Sequence, residues 1–396
     1  IIRKVDVNEP FSAVVFKTIV DPFVGKLTLF KVVSGKLTKD TEVYNSTKEK
    51  AEKLGGLFIL RGKNQVEISE IMAGDIGATS KLAYTQTGDT LCDKNNQTLY
   101  ETIKYPQPTL FMAVEPKNKG DEEKIGTSLN KMIDEDPTFV IERNTETKQL
   151  LIGGQGNMQL TVIVDKLKTN FGVDVVLKSP KIAFRETIKS SATVQGKHKK
   201  QSGGAGQYGD VHMRFEPCEE EFIFQEEIYG GSVPRNYWPA VEKGVRESLE
   251  HGVLAGYPVV NIKATLFDGS YHDVDSNEMA FKIAASIAFK KGMEEAKPIL
   301  LEPIVKVEVK IPEDYMGDVM GDMNKRRGRI LGMEQQADGS QKIVAEAPHT
   351  EMFEYAIDLR AMTQARGSFV QSFEGYQPVP RDIQERIMEE ASSEDD

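Results

Sequence analysis

Three stretches of the sequence carry residue types that could do chemistry. FDGSYHDVDS (Phe267–Ser276) sets Asp268, Ser270, His272, Asp273 and Asp275 in one short run. An imidazole among hydroxyl and carboxylate groups could serve nucleophilic catalysis or hold a cation. The spacing argues against both, because a calcium loop needs its glycine and distal glutamate. A Ser-His-Asp triad, moreover, converges from distant segments. What remains is a polar loop tip with His272 reaching outwards. In an RNA setting an imidazole can stack on a base or donate to phosphate and ribose oxygens; the plain alternative is an ordinary surface histidine. GGAGQYG (Gly203–Gly209) has the glycines of a phosphate cradle but no Lys-Ser or Lys-Thr after them. It joins two strand-like segments, whereas a nucleotide loop feeds the N-terminus of a helix. It reads as an exposed loop whose backbone can approach another surface, or as a mere hairpin connection. NKRRGRILG (Asn324–Gly332) places Lys325, Arg326, Arg327 and Arg329 beside a strand. Guanidinium forks suit phosphates, but Asp318 and Asp322 on the preceding helix could equally counter the charge. A smaller basic cluster, Lys197, Lys199 and Lys200, precedes the glycine loop.

The elements that must position these residues fall into four groups. Residues 1–104 hold short strand-like runs (FSAVVFKTIV, GKLTLFKVVSG, TEVYN, EKLGGLFIL, IGATSKLAY) separated by Gly, Asp, Asn and Pro clusters, the pattern of a small β-barrel. YPQPT (Tyr105–Thr109) reads as a stiff linker. Residues 105–180 then read βαββαβ, with the first helix stopped by Pro137 and the second closed by Gly172. The same order returns over 302–376, where Pro312 stands at the expected first helical position and Asp338-Gly339 marks a hairpin. Both are ferredoxin-like units. Between them, 181–301 reads as α/β. AFRETIKSSATVQ and YGDVHMRFEP are long strands there, and YWPAVEKGVRESLEHG is a helix terminated by Gly252. A second helix, SNEMAFKIAASIAFKKGMEEA, is capped by Asp275 with Glu278 completing a capping box. Residues 377–396 form a C-terminal helix and acidic tail.

Bulk properties narrow the function classes. The 396 residues carry a net charge of −11, which argues against a general polyanion binder. Seven acids against two arginines between Arg381 and Asp396 supply −5 of that charge, so basic clusters survive locally. Cys92 and Cys218 form no metal spacing and read as reduced thiols of a cytosolic protein. The sequence holds no run of transmembrane length. It begins with Ile1, which reads as a fragment or a processed chain. The P-loop pattern G-x-x-x-x-G-K-[ST] occurs nowhere in it, so no GTP binding by that route is expected.

Several long motifs in sequence order resemble elongation factor G. DPFVGKLTLFKVVSG, YNSTKEK and AGDIGATSKLAYTQTGDTLCD are similar to its barrel domain. SGGAGQYGDVHMRFEP and FDGSYHDVDSNEMAFKIAASIAFKKG are similar to its fourth domain, and PEDYMGDVMGDMNKRRGRILGMEQQ with AIDLRAMTQARGSF to its fifth. The likeness runs from about Val5 to Arg386. It implies a translation-factor β-barrel, two ferredoxin-like domains and an α/β domain resembling the second domain of ribosomal protein S5. It further implies a ribosome-dependent GTPase whose nucleotide domain, with GTP and magnesium, lies outside this sequence. Expected partners are both ribosomal subunits, ribosomal RNA, and the tRNA–mRNA pair in the decoding region, bound by a monomer. By motif match Ser202, Gly203, Gly204, Gln207, Tyr208, Ser270, His272 and Asp273 are the decoding-region contacts. Lys197, Lys199, Lys200, Arg326, Arg327 and Arg329 are the ribosomal RNA contacts. No catalytic residue or metal ligand is expected in the chain. The segment after Tyr376 is expected to return and pack on the fourth domain.

The sequence also departs from the housekeeping pattern. A Gly-Glu-Leu-His-Leu run common in the third domain reads Gly156-Asn157-Met158-Gln159-Leu160 here. Ala205 stands where the first tip loop usually has arginine, and His198 where an aromatic is typical. With LRGKNQ in the barrel, these changes point towards the elongation factor G-like paralogues. Alternatives are a ribosomal protection factor of the tetracycline-resistance kind and a non-ribosomal RNA-binding adaptor. A stand-alone hydrolase built on His272 has no supporting pocket pattern.

Overall fold

The computed structural model describes residues 3–21, 25–62, 64–201 and 206–394. It comprises two compact units, Ile1–Lys181 and Ile182–Asp396. Among the described residues no helix is long and apolar enough to cross a membrane.

The first unit begins with short strands: β1 (Ser12–Asp21), β2 (Gly25–Ser34), β3 (Lys36–Thr38), β4 (Glu42–Asn45), β5 (Lys50–Lys53), β6 (Leu57–Arg61), β7 (Asn64–Glu67), β8 (Glu70–Met72), β9 (Ile76–Ser80) and β10 (Thr90–Cys92). The main sheet runs β5-β4-β10-β1-β2-β9-β6-β7, and β3 pairs with β8 beside it. Alternation decides what goes inside. In β2, Thr28, Phe30, Val32 and Ser34 point inwards while Lys31 stays in water. Ala13, Val15, Phe30, Val32, Leu57 and Leu91 meet in the barrel core.

The βαββαβ order expected next is observed as β11 (Leu110–Pro116), α1 (Glu122–Glu135), β12 (Val140–Asn144), β13 (Gln149–Gly154), α2 (Asn157–Phe171) and β14 (Val175–Lys178). The sheet order is β12-β13-β11-β14, all antiparallel. Gly172 closes α2 in the left-handed region at φ 65°. Gln159, which replaces the histidine of the usual run, ties three elements together. Its Oε1 accepts from the Gln155 N–H at 2.7 Å, and its Nε2 donates to Asp136 Oδ2 and Thr138 Oγ1, each at 2.8 Å. Burial alone would raise the Asp136 pKa, but Thr138, Gln159 and Lys166 together hold it below the usual carboxylate value. The barrel is pinned to α1 by Lys26 on Asp134 at 2.9 Å and by the Val20 N–H on Glu135 at 2.9 Å.

The second unit opens with β15 (Arg185–Ile188), β16 (Ala192–Lys200), β17 (Gln207–Pro217), β18 (Phe222–Glu226), α3 (Trp238–Ser248), β19 (Ile262–Ser270) and α4 (Glu278–Glu295). It continues with β20 (Pro298–Pro312), α5 (Met316–Lys325), β21 (Arg329–Gln335), β22 (Ser340–Pro348), α6 (Tyr355–Met362), β23 (Ser368–Pro378) and α7 (Arg381–Glu394). One sheet is β16-β17-β19-β18, backed by α3 and α4. In the other, β21-β22-β20-β23 repeats the ferredoxin-like order, and β15 joins the start of β20.

Several expectations are corrected here. AFRETIKSSATVQ is two strands in two sheets, because the Lys189 and Ser190 N–H groups turn to the Ala296 carbonyl between them. Strand β18, which pairs parallel to β19, has too weak an alternation to stand out in the sequence. Helix α3 ends at Ser248, short of Gly252. Gly252 instead makes room for the fully buried Glu186, since a Cβ there would lie 2.1 Å from the carboxylate carbon. Desolvation raises the Glu186 pKa, against the N–H groups of Leu254, Ala255 and Tyr257 that all donate to it. The N-cap of α4 is Asn277, whose side chain accepts from the Ala280 N–H at 2.9 Å; Asp275 does not cap the helix. Pro312 ends β20 ahead of a single 3-10 turn (Glu313–Tyr315), so α5 starts at Met316. The terminal segment does return to the α/β domain: Ile383, Ile387 and Met388 of α7 pack with Leu254, Ala255 and Tyr257 around Phe184, Leu300 and Val379.

Helix α4 lies unusually close on its sheet. Its buried face is Ala280, Phe281, Ala284, Ala285, Ala288, Phe289, Gly292 and Met293. Opposite stand two strand glycines. A Cβ on Gly196 would sit 2.0 Å from the Ala284 carbonyl oxygen, and one on Gly209 would sit 2.5 Å from that of Ala280. Gly209, expected in a loop, is instead a packing position in β17. Gly196→Ala should therefore cost about 1–3 kcal/mol through overpacking. Gly317→Ala, on an open helix surface, should stabilise by roughly 0.5–1 kcal/mol. Urea midpoints of the two variants would show opposite shifts; shifts of the same sign would contradict the packing described.

Candidate functional site

The tip of the α/β domain is built where β16 and β19 end and β17 and α4 begin. Of the residues expected there, Ser202, Gly203 and Gly204 lie outside the described residues, as does Ala205. The others are brought together. The Tyr208 hydroxyl meets Ser270 Oγ at 2.7 Å, and Ser270 Oγ donates to the buried Asp210 Oδ2 at 2.7 Å. Gln195 Nε2 holds the other Asp210 oxygen at 2.8 Å. Lys197 lies 5.4 Å from the centre of the Tyr208 ring and 3.9 Å from Asp210. Gln207 bonds His198 Nε2 at 2.9 Å.

The two tip segments are locked to each other through the Tyr208 backbone. Its N–H donates to the Asp275 carbonyl at 2.9 Å, and its carbonyl accepts from Ser276 Oγ at 2.9 Å. Asp275 Oδ1 also accepts from the Gly206 N–H at 3.1 Å, an approach that a Cβ on residue 206 would block at 2.8 Å. The Tyr237 hydroxyl donates to the Ser276 carbonyl at 3.1 Å, and its ring stacks on Phe281 of α4 at 4.6 Å. The tip is thereby fixed to the helix face described above.

His272 is exposed, with 56% of its side chain open to solvent. The Val274 and Asp275 N–H groups point at its Nδ1 from 3.3 and 3.2 Å. In the neutral ring Nδ1 is then the acceptor and the proton sits on Nε2. The outward nitrogen is a hydrogen-bond donor with no protein partner among the described residues. The Asp275 carboxylate lies 3.5 Å from that same inner Nδ1. Asp273, Tyr271 and Val274 are exposed beside it. Asp268, expected in this loop, belongs to β19, where the Gly269 N–H lowers its pKa.

The basic cluster after α5 is arranged differently. Arg326, 14% exposed, is held by Asp322 at 2.7 Å, by Asp358 and by the Glu351 carbonyl. Arg327, at φ 56°, forks onto Glu302 at 2.7 and 2.8 Å and reaches Glu351 at 3.0 Å. Glu302 is only 2% exposed, and its contacts, followed by those of Glu351, raise the Arg327 pKa. Both side chains are thus occupied within the domain. Arg329, 72% exposed, has the Glu346 pair at 2.7 Å and stays open to water.

Family models for elongation factor G match the chain along nearly its whole length. The domain 2 model covers residues 10–94, domain III 105–179, domain IV 180–297 and the C-terminus 299–387. The chain belongs to the elongation factor G family. A crystal structure of a protein from Thermus thermophilus is similar at 39% identity and a TM-score of 0.81, over 97% of this chain and 58% of that one. The present chain thus spans a little over half the length of that relative.

In elongation factor G terms the tip lies in domain IV, and the arginine cluster lies in the C-terminal domain. The sequence singled out Tyr208, Ser270 and His272, which the structure brings together, but not Gln195, Asp210, Tyr237 and Ser276, which hold them in place. Asp210 left a signal: a carboxylate flanked by Gly209 and Val211 at the start of a buried strand needs partners. The others are ordinary polar residues whose roles depend on contacts distant in sequence. The arginine geometry predicts a graded series. Arg327→Ala leaves Glu302 buried and uncompensated and should cost about 3–5 kcal/mol. Arg329→Ala should change stability by no more than about 0.5 kcal/mol. Chemical denaturation checks both, and equal midpoints would contradict the assignment.

Proposed function

We propose that this chain is the ribosome-binding part of an elongation factor G-like translational GTPase that supports tRNA–mRNA translocation. In this reading the domain IV tip enters the decoding region of the small subunit. There Gln207, Tyr208, Ser270, His272 and Asp273, with the Ser202–Gly204 segment, meet tRNA and mRNA. Lys197, Lys199, Lys200 and Arg329 face ribosomal RNA. Arg326 and Arg327 act one step back, by shaping the C-terminal domain that docks. GTP and magnesium belong to a nucleotide-binding domain that the four matched segments do not include, and the site of action is cytoplasmic. The carrying observation is the locked tip: two segments cross-bonded through Tyr208 hold His272 by its Nδ1 and leave its Nε2–H with no partner among the described residues. A pre-ordered donor costs little to immobilise on binding. The chain then contributes shape and contacts, with no covalent step of its own.

Co-sedimentation with ribosomes over increasing potassium chloride tests this. Binding should be saturable and weaken as salt rises, because phosphate contacts release counterions. His272→Ala should lower affinity about fivefold, the worth of one hydrogen bond of roughly 1 kcal/mol, with the melting temperature unchanged. Calorimetry with GTP and magnesium on the chain alone should show no saturable heat. A chain that stays in the supernatant even at low salt, or that binds GTP saturably, would overturn the reading.

A further inference from the structure

The two basic clusters of the sequence have opposite fates in the fold, and this locates an RNA contact more closely. In the arginine-rich one Arg326 and Arg327 are neutralised internally by Asp322, Asp358, Glu302 and Glu351, and Arg329 stands exposed beside Glu346. The lysine one lies on β16, the free edge of its sheet. Lys197 and Lys199 are exposed at alternate positions on one face, and Lys200 follows at the tip. Helix α4 adds Lys291, whose ammonium reaches the Gln195 carbonyl at 3.2 Å across that edge. Lys199, Lys200 and Lys291 form no ion pair among the described residues, and Lys197 has only Asp210 at 3.9 Å. Lysines with little or no acid partner flank this edge, Lys197 and Lys199 from the face away from α4 and Lys291 from the α4 side, and on a chain of net charge −11 they create a local positive strip.

Building on the ribosome-binding reading, we infer that the β16 edge, with Lys291 of α4, is a lateral track for an RNA phosphate backbone. It runs from the tip down the flank of domain IV. At about 3.3 Å per residue the stretch from Gln195, where Lys291 sits, to Lys200 gives a track of roughly 17 Å. Lysines supply flexible point charges that tolerate any base sequence, as a backbone contact requires. Edge lysines also discourage strand addition by other chains, and that role needs charge of either sign, whereas RNA needs positive charge.

The test uses the full chain and a fluorescein-labelled RNA hairpin, with anisotropy measured from about 50 to 200 mM potassium chloride, beside ribosome co-sedimentation. Replacing Lys197, Lys199, Lys200 and Lys291 together by Gln should weaken hairpin binding by about tenfold or more at roughly 100 mM salt. It should also flatten the log–log salt slope by about 3, near 0.7–0.9 for each lost phosphate contact. The corresponding Arg set should bind within about twofold of wild type, and the Glu set should stay soluble but lose binding. Should the quadruple variants fold poorly, Lys199→Gln and Lys291→Gln should each reduce the slope by about 0.7–0.9. Unchanged affinity and slope in the Gln variants, wild-type binding by the Glu set, or no hairpin binding by wild type would each overturn the track. Hairpin binding without ribosome binding would overturn the translational reading and leave the track standing.

Discussion

The close approach of α4 to its sheet is the constraint on which the functional end of the chain depends. Gly196 and Gly209 have no Cβ, and the facing helix residues are alanines, so backbone meets backbone across the layer. A helix held that closely has its N-terminus fixed in position. Asn277 caps it, Ser276 bonds the Tyr208 carbonyl, and Tyr237 stacks on Phe281 while holding Ser276. The path from core to tip is therefore short and made of contacts that tolerate little slack. The tip histidine inherits its orientation from this packing, through the Val274 and Asp275 N–H groups that fix its inner nitrogen.

Charge is handled by separation. In the C-terminal domain acids occupy Arg326 and Arg327, while Arg329, Arg360 and Arg366 stay exposed. Glu302 would be costly to bury alone, and the Arg327 fork makes its burial tolerable. Glu186 is buried by a different device, a turn that aims three N–H groups at it. The β16 edge has neither device: Lys199 and Lys200 form no ion pair among the described residues, and Lys197 has only Asp210 at 3.9 Å. An acidic protein can in this way present positive charge in a chosen place and remain acidic elsewhere.

The domain order and both ferredoxin-like units were legible in the sequence because they rest on local signals. Pro137, Gly172 and Asp338-Gly339 each mark a boundary through backbone chemistry that a reader can apply without a structure. Long-range pairings were not legible. The break in AFRETIKSSATVQ is set by the Ala296 carbonyl, more than a hundred residues away. Asp275 has every local mark of a helix cap, yet it serves Gly206 across the tip while Asn277 caps. The glycines near the tip announced flexibility, and Gly209 proved to be a point of tight packing. The arginine run could be read as a phosphate surface or as a countered charge run, and the fold pairs Arg326 with Asp358 and Arg327 with Glu302. The residues that carried a family motif lie together at the tip, and the partners distant in sequence that hold them there left no comparable mark.

The central claim is that the domain IV tip is delivered to the decoding region of the small ribosomal subunit. It is tested most directly by hydroxyl-radical cleavage from the tip itself. Cys92 is buried, so replacing the partly exposed Cys218 by Ser leaves a background on which Asp273→Cys can carry an iron chelate. With ribosomes bound, the account predicts strand breaks confined to small-subunit RNA around the decoding region, with protection by excess unlabelled chain. Breaks confined to large-subunit RNA, or none from a chain shown to be bound, would contradict it.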